Sequence, residues 1–249
     1  MTEPYVKIKN KNGVGYIEFF HPAHNSLPSN LLSELARTIT GAGEDDSIKV
    51  IVLQSGGERT FCAGASFEEL VAITNQEVGK IFFSGFANVI NAMRKCPKFI
   101  IGRVQGKTVG GGVGLAAATD FCMATKFAEI KLSELNVGIG PFVVGPAIER
   151  KIGLSGFSQI ALDCNTFYSA EWAKQKGLFS KVFESTEELD AALTAFAENL
   201  RSYNPKAMTE MKTMFWRGTE DWDQLLIQRA KISGRLVLSE FTKEKLKGF

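Results

Sequence analysis

Histidine is almost missing from this chain: His21 and His24 are the only two among 249 residues. So small a supply argues against a His-rich metal site and leaves a Ser-His-Asp triad few candidates. Cysteine is sparse as well. Cys62, Cys96, Cys122 and Cys164 are scattered and form no CxxC pair, so they read as reduced, mostly buried thiols of a cytoplasmic protein. No apolar run approaches the roughly 20 residues of a membrane span, so no membrane partner is expected. The opening MTEPYVKIKN carries an acidic residue and no apolar h-region, so neither a signal peptide nor an Arg-rich transit peptide is expected. An excess of one charge is lacking too. The 29 Lys and Arg against 27 Asp and Glu leave +2, which points away from nucleic acid and anionic membranes as partners. Fixed-period repeats and low-complexity linkers are also missing.

What is present is a chain that is 45% hydrophobic and long enough for one sizeable core, or one large domain with a small appendage. Val6 and Ile8 alternate with Tyr5, Lys7 and Lys9, Asn10 to Gly13 supply a turn, and VGYIEFF completes a predicted hairpin. A helix starts at Pro28-Ser29-Asn30, with Leu31, Leu32, Leu35 and Ile39 at helical spacing. KVIVLQSG reads as a buried strand and FEELVAIT as a helix start. GKIFFSGFANVINAMRKC is a longer helix with Ile81, Phe82, Phe86, Ile90 and Met93 on its inner face, ended by Pro97. KFIIGRVQG is another strand, followed by a glycine-rich helix to Ala118. DFCMAT and AEIKLS are short strands, and PAIERKIGLSGFSQIALD is a helix broken near Gly153 and Ser155. SAEWAKQKG is a short helix and SKVFE the last strand. From Ser185 onward only helices are predicted, with breaks at Asn204-Pro205 and Trp216 to Thr219. The pattern predicts an α/β core over residues 1–184 and a helical C-terminal segment over 185–249.

Three stretches bear on chemistry. FCAGASFEEL, Phe61 to Leu70, lies between a strand and a helix, and its small residues let a ligand reach the main chain near the Ala65 N–H. VGGGVG also joins a strand to a helix. It lacks the GxGxxG spacing of a dinucleotide site and the Gly-Lys-Ser/Thr ending of a P-loop. Taken alone, the first junction reads as an ordinary strand-to-helix turn and the second as close helix–helix packing. Together they offer two backbone donors, Ala65 and Gly111, able to converge on one oxygen as an oxyanion hole. KLSELNVGIGP then places Glu134 after a strand, amid Leu135, Val137 and Ile139. Two readings of Glu134 stand. Burial raises its pKa and suits it to proton transfer at carbon, or it caps a turn or meets a cation such as Arg150.

In this order, HPAHNSL, VIVLQSGGERTFCAGASFEEL, IIGRVQGKTVGGGVGLAAATDFCMAT, AEIKLSELNVGIGP and SAEWAKQKGLFSKVF resemble the crotonase superfamily, also called the enoyl-CoA hydratase/isomerase family. The resemblance covers roughly residues 14 to 185 and implies a crotonase-like spiral of repeated ββα units, with the C-terminal helices serving oligomerisation as a homotrimer or a dimer of trimers. It implies an acyl-CoA thioester substrate whose oxygen is held by the Ala65 and Gly111 N–H groups, with no metal or redox cofactor, coenzyme A being part of the substrate. The segment with Ala23, His24 and Ala63 matches the part of relatives that lines CoA. Ser66, Phe67 and Glu68 continue the first motif, and Gly110 precedes the donor, as further substrate-contacting candidates.

The departures from the family pattern set the expected reaction. Hydratases of the family commonly carry two glutamates, at the positions of Gly114 and Glu134, and only the second is here. The single acid points to a proton shuttle that converts 3-enoyl-CoA to 2-enoyl-CoA. On this view Gly114→Glu is expected to bring hydratase activity. Ser66 stands where an acidic residue is common, and Phe142 follows Pro141 where glycine is usual, placing a ring near the acyl chain. The EFTKEKLKGF end is shorter than the basic tail of many relatives, with Lys243, Lys245 and Lys247 as candidates for CoA phosphates. Hydration or decarboxylation in the same site, and a non-catalytic acyl-CoA- or RNA-binding protein, are the competing readings.

Overall fold

Asn12 and Gly13, with φ of 52° and 86°, make the turn of the opening hairpin in the computed structural model, which describes residues 3–247. Two successive positive φ values match the twist of paired strands, which is why Asn-Gly is favoured there. The hairpin strands are β1 (Tyr5–Lys11) and β2 (Val14–Phe20). After α1 (Ser29–Glu44) come β3 (Val50–Ser55), β4 (Thr60–Cys62), α2 (Phe67–Val71) and α3 (Gln76–Lys95). The pattern repeats with β5 (Ile100–Val104), β6 (Lys107–Val109) and α4 (Gly111–Ala118). It repeats again with β7 (Phe121–Thr125), β8 (Ile130–Lys131), a 3-10 turn at Glu134–Val137 and α5 (Gly145–Leu162). This is the expected series of ββα units.

In each later unit the two strands part company. The first joins a six-stranded sheet of order β1-β2-β3-β5-β7-β9, where β9 is Lys181–Phe183 after α6 (Ala170–Gln175). The second joins a three-stranded sheet of order β4-β6-β8. Among the described residues, the strand–strand ladders beyond the β1–β2 hairpin are parallel. The sequence reading lacks β4 and β6 and so lacks the small sheet.

Side chains alternate across the large sheet, as the two-residue strand period requires. Ile51, Leu53, Ile100 and Cys122 face the main core with Leu35, Ile90 and Met93. Val50, Val52, Ile101 and Met123 face the other way and pack under Leu189, Leu193 and Ala197 of α7 (Thr186–Arg201). Then follow α8 (Pro205–Phe215), α9 (Trp222–Leu236) and α10 (Glu240–Leu246). Trp216, Trp222, Leu226 and Ala230 belong to the main core, so the helical segment packs back onto the first 184 residues. The sequence reading lacks the break between α9 and α10. Met1 and Thr2, and the Gly248 and Phe249 that end the EFTKEKLKGF tail, lie outside the described residues.

One face assignment needs correction. On α3, Phe82, Phe86, Ile90 and Met93 are buried as expected, but Ile81 is 62% exposed. At 3.6 residues per turn, five residues from Ile81 to Phe86 rotate the side chain by about 140°, off the core stripe.

Candidate active site

The three strands of the small sheet end at one cavity. β4 leads to Ala63, Gly64 and Ala65, β6 to Gly110 and Gly111, and β8 to Ser133 and Glu134, and all seven residues line it. A ligand site outside the carboxyl ends of parallel strands is a general consequence of such sheets. The cavity holds about 440 Å³.

Two backbone conformations bring the first two strand ends together. Gly64 has φ of 92°, and a Cβ there would lie 3.3 Å from the Val109 carbonyl and 3.6 Å from the Gly111 nitrogen. Only glycine tolerates both the dihedral and the approach. Leu27 pairs with this segment, donating its N–H to Gly64 O at 2.8 Å and accepting from Ser66 N at 3.1 Å. Strand alternation turns the Ala65 N–H to the opposite side. Gly111 is the first residue of α4, so its N–H has no intrahelical acceptor. Among the described residues neither the Ala65 nor the Gly111 N–H has a hydrogen-bond acceptor. Two free donors at adjacent strand ends, one on a helix N-terminus, are a chemistry suited to an oxygen gaining charge.

Glu134 starts the 3-10 turn beside them. The sequence reading has it in a loop; the turn places it more firmly, with Gly138 and Ile139 both donating N–H groups back at 3.1 Å, to Leu135 O and Glu134 O. Its carboxyl lies against Gly110, where a Cβ would be 3.1 Å from Oε1. Gly110 has φ of 52° and needs its freedom. Glu134 Oε2 is buried without a hydrogen-bond partner. Burial raises the carboxyl from 4.5 to about 7, while the N–H groups of Glu134 and Ser133 pull it part of the way back. Arg150 is engaged elsewhere, with the carbonyl of Phe215. Of the two sequence readings of Glu134, the geometry favours the buried acid.

The other candidates divide. Ala23, Ser66, Phe67, Glu68 and Phe142 line the cavity. Ser66 caps α2, accepting from Glu69 N at 3.3 Å, and Phe142 folds its ring over Gly140. His24 does not line the cavity: it is exposed, at a φ of 55°, and the preceding histidine, His21, lines it instead. Gly114 does not line it either. It is buried in α4, and a Cβ there would meet Val144 Cγ1 at 2.4 Å and Cβ at 2.7 Å. Lys243, Lys245 and Lys247 are absent from the lining as well: Lys247 pairs with Glu244, and Lys245 lies over the Phe241 ring.

Sequence reasoning missed Val144, Ser133, Ser233 and the wall of Phe82, Phe83 and Phe86, all of which line the cavity. The helical spacing of Phe82 and Phe86 marked an apolar face without showing that part of it borders a void. The Ser233-Gly234 pair was a signal of close helix approach, since Gly234 meets α3 at Gly79.

Residues 9–248 match the family model for enoyl-CoA hydratase/isomerase. The chain is 31% identical over 189 residues to the mitochondrial methylglutaconyl-CoA hydratase of Homo sapiens, covering 76% of this chain and 55% of that protein. It is 28% identical over 235 residues to the peroxisomal Delta(3,5)-Delta(2,4)-dienoyl-CoA isomerase of Arabidopsis thaliana, covering 88% and 83% of the two chains. A crystal structure of enoyl-CoA hydratase from Bacillus halodurans has the same fold, with a TM-score of 0.91 over 98% of this chain and 100% of that one at 22% identity. No helix among the described residues is long and apolar enough to cross a membrane.

Proposed function

This chain belongs to the enoyl-CoA hydratase/isomerase family, and from that premise we propose that it is an acyl-CoA double-bond isomerase. The Ala65 and Gly111 N–H groups hold the thioester oxygen. The Glu134 carboxylate removes a proton from C2 of a 3-enoyl thioester. The electron pair moves onto the thioester oxygen as an enolate. When the carbonyl re-forms, the double bond shifts to C2–C3 and C4 takes the proton back from Glu134. One proton leaves, one returns, and no water enters. A carboxyl poised near pH 7 accepts and donates with similar ease, as both half-steps require.

One observation carries the choice of isomerisation over hydration. The space beside Gly114, where a second carboxylate would be needed to hold water, is filled by Val144. Among the described residues, the one other carboxylate that lines the cavity is Glu68, which is exposed on α2. The relatives include both a hydratase and an isomerase, so the products decide. Purified protein is given a 3-enoyl-CoA and, separately, a 2-enoyl-CoA, beside Glu134→Gln. The reading expects 2-enoyl-CoA from the first, no 3-hydroxyacyl-CoA from the second, and loss of the first reaction in the variant. Equal rates for wild type and variant would end it. The same reading takes the assembly to be a homotrimer or a pair of trimers. Met214 and Phe215 of α8, exposed at 62% and 49%, support a covered face there, and light scattering measures the mass.

A further inference from the structure

One wall of the cavity holds a polar side chain that the proton shuttle does not use. Ser233 of α9 lines the cavity and is 1% exposed. A serine inside a helix commonly returns its hydroxyl to the carbonyl one turn back. Ser84 does so, donating to Lys80 O at 2.7 Å. Ser233 does not: among the described residues its Oγ has no hydrogen-bond partner.

Its surroundings are apolar. Phe82 and Ile139 line the same cavity and belong with Val237 to one buried cluster, with Leu70, Phe83 and Val137 packed against it. The wall is held rigidly, because α3 and α9 touch backbone to backbone. A Cβ on Gly79 would lie 2.8 Å from Gly234 Cα, and one on Gly234 would lie 2.6 Å from Lys80 N. Close approach explains a small residue at 233 but not a hydroxyl. Alanine would fit the same space, so packing alone does not call for a polar atom at the cavity wall.

The charge of the cavity narrows what that hydroxyl meets. No lysine or arginine lines it, and its two carboxyl groups belong to Glu68 and Glu134. An acyl chain ending in a carboxylate would find no countercharge. We propose that Ser233 is a specificity-determining residue that selects acyl groups carrying an uncharged oxygen, a hydroxyl or a carbonyl. A serine hydroxyl both donates and accepts, so it serves either form. This inference rests on the acyl-CoA reading of the site, though not on the isomerase step.

Calorimetric titration tests it with saturated acyl-CoA thioesters of short and medium chain length, each beside its partner with a terminal hydroxyl. The wild type is expected to bind the hydroxylated thioester about tenfold more tightly at one chain length, the worth of one uncharged hydrogen bond. Ser233→Ala is expected to bind both partners alike, and Ser233→Thr to keep the preference. Where Ser233→Ala does not fold, Ser233→Cys takes its place, since a thiol is a weak hydrogen-bonding group. Equal affinities in the wild type at every length, or a preference that survives in the alanine variant, would overturn the proposal. If the wild type binds neither thioester, the acyl-CoA reading falls and this one with it. A preference that holds in a protein without isomerase activity would sink only the isomerase reading.

Discussion

Replacing Glu134 with Gln should change how stability depends on pH, in a direction the structure dictates. The side chain is only half-buried, but the part that titrates is enclosed: Oε2 has neither solvent nor partner. Burial therefore favours the protonated acid and moves the carboxyl from 4.5 to about 7. Below pH 4.5 the group is protonated in both the folded and unfolded chains, and it costs nothing. As pH rises from 4.5 toward 7 the unfolded chain loses its proton first, so unfolding gains. Stability falls by about 1.4 kcal/mol for each pH unit in that window and levels off above it. A rise of some 2.5 units amounts to a loss of about 3 kcal/mol by pH 8. Gln has nearly the same shape and no charge, so the loss should vanish in the variant. Any constant cost of the buried amide cancels in the difference. Urea unfolding of both proteins from pH 4 to pH 8 reads the effect directly. The gap between them should open by about 3 kcal/mol in favour of Glu134→Gln, with unchanged m-values. Parallel curves would mean that the carboxyl is not held above its ordinary range. The case for it as an acid–base group poised at neutral pH would fall too.

Two further outcomes follow from packing. Gly114→Glu alone should destabilise the protein by at least about 1–3 kcal/mol in urea unfolding and yield no hydratase activity, because the new side chain runs into Val144. Val144→Gly in the same chain should recover part of that stability, and a single variant as stable as wild type would refute the contact. Lys212→Met should cost about 3–5 kcal/mol, since Lys212 Nζ and Asp120 Oδ2 are 2.8 Å apart with side chains 3% and 5% exposed. Asp120 also accepts from Ile100 N and Trp216 Nε1, at 2.7 Å and 2.9 Å, so α8 is tied through it to the segment that follows α4. A loss below about 1 kcal/mol in urea unfolding would put this pair in the class of surface ion pairs.

Local chemistry made most of the fold legible. Asn-Gly announced the hairpin, Pro97 the end of α3, and the buried strands showed as short apolar runs. The small sheet stayed hidden for a physical reason. β4 and β6 are three residues each, too short for any alternation to repeat, and without them the predicted AEIKLS strand, which holds β8, had no sheet to join. Yet these strands position the site, since each delivers one piece of it. The pieces themselves were visible because close backbone approach demands small residues. Gly64, Gly110 and Gly111 sit where a Cβ would meet backbone, the Glu134 carboxyl or the Phe86 ring. His24 misled because a loop facing the cavity presents only some of its residues. His21 and Ala23 border the cavity, while His24, at a left-handed φ, is exposed and does not.

Gly114 is the instructive case, because a missing side chain has two opposite meanings. It can leave room that a ligand or water occupies, or it can exist because a neighbour already fills the room. A sequence distinguishes these only if the neighbour is local, and here it is not: Val144 lies just ahead of α5, far along the chain from α4. The contact of 2.4 Å to an added Cβ assigns Gly114 to the second meaning. That assignment bears on the chemistry as well as the packing. Val144 lines the cavity, so the same residue that forbids a side chain at 114 presents an apolar surface to the substrate. An apolar wall there offers water neither donor nor acceptor, whereas two carboxylates would hold it in place for attack at carbon. The single-acid reading thus rests on two linked features, one residue that cannot be enlarged and one that is already filled, and a change of reaction would require altering both.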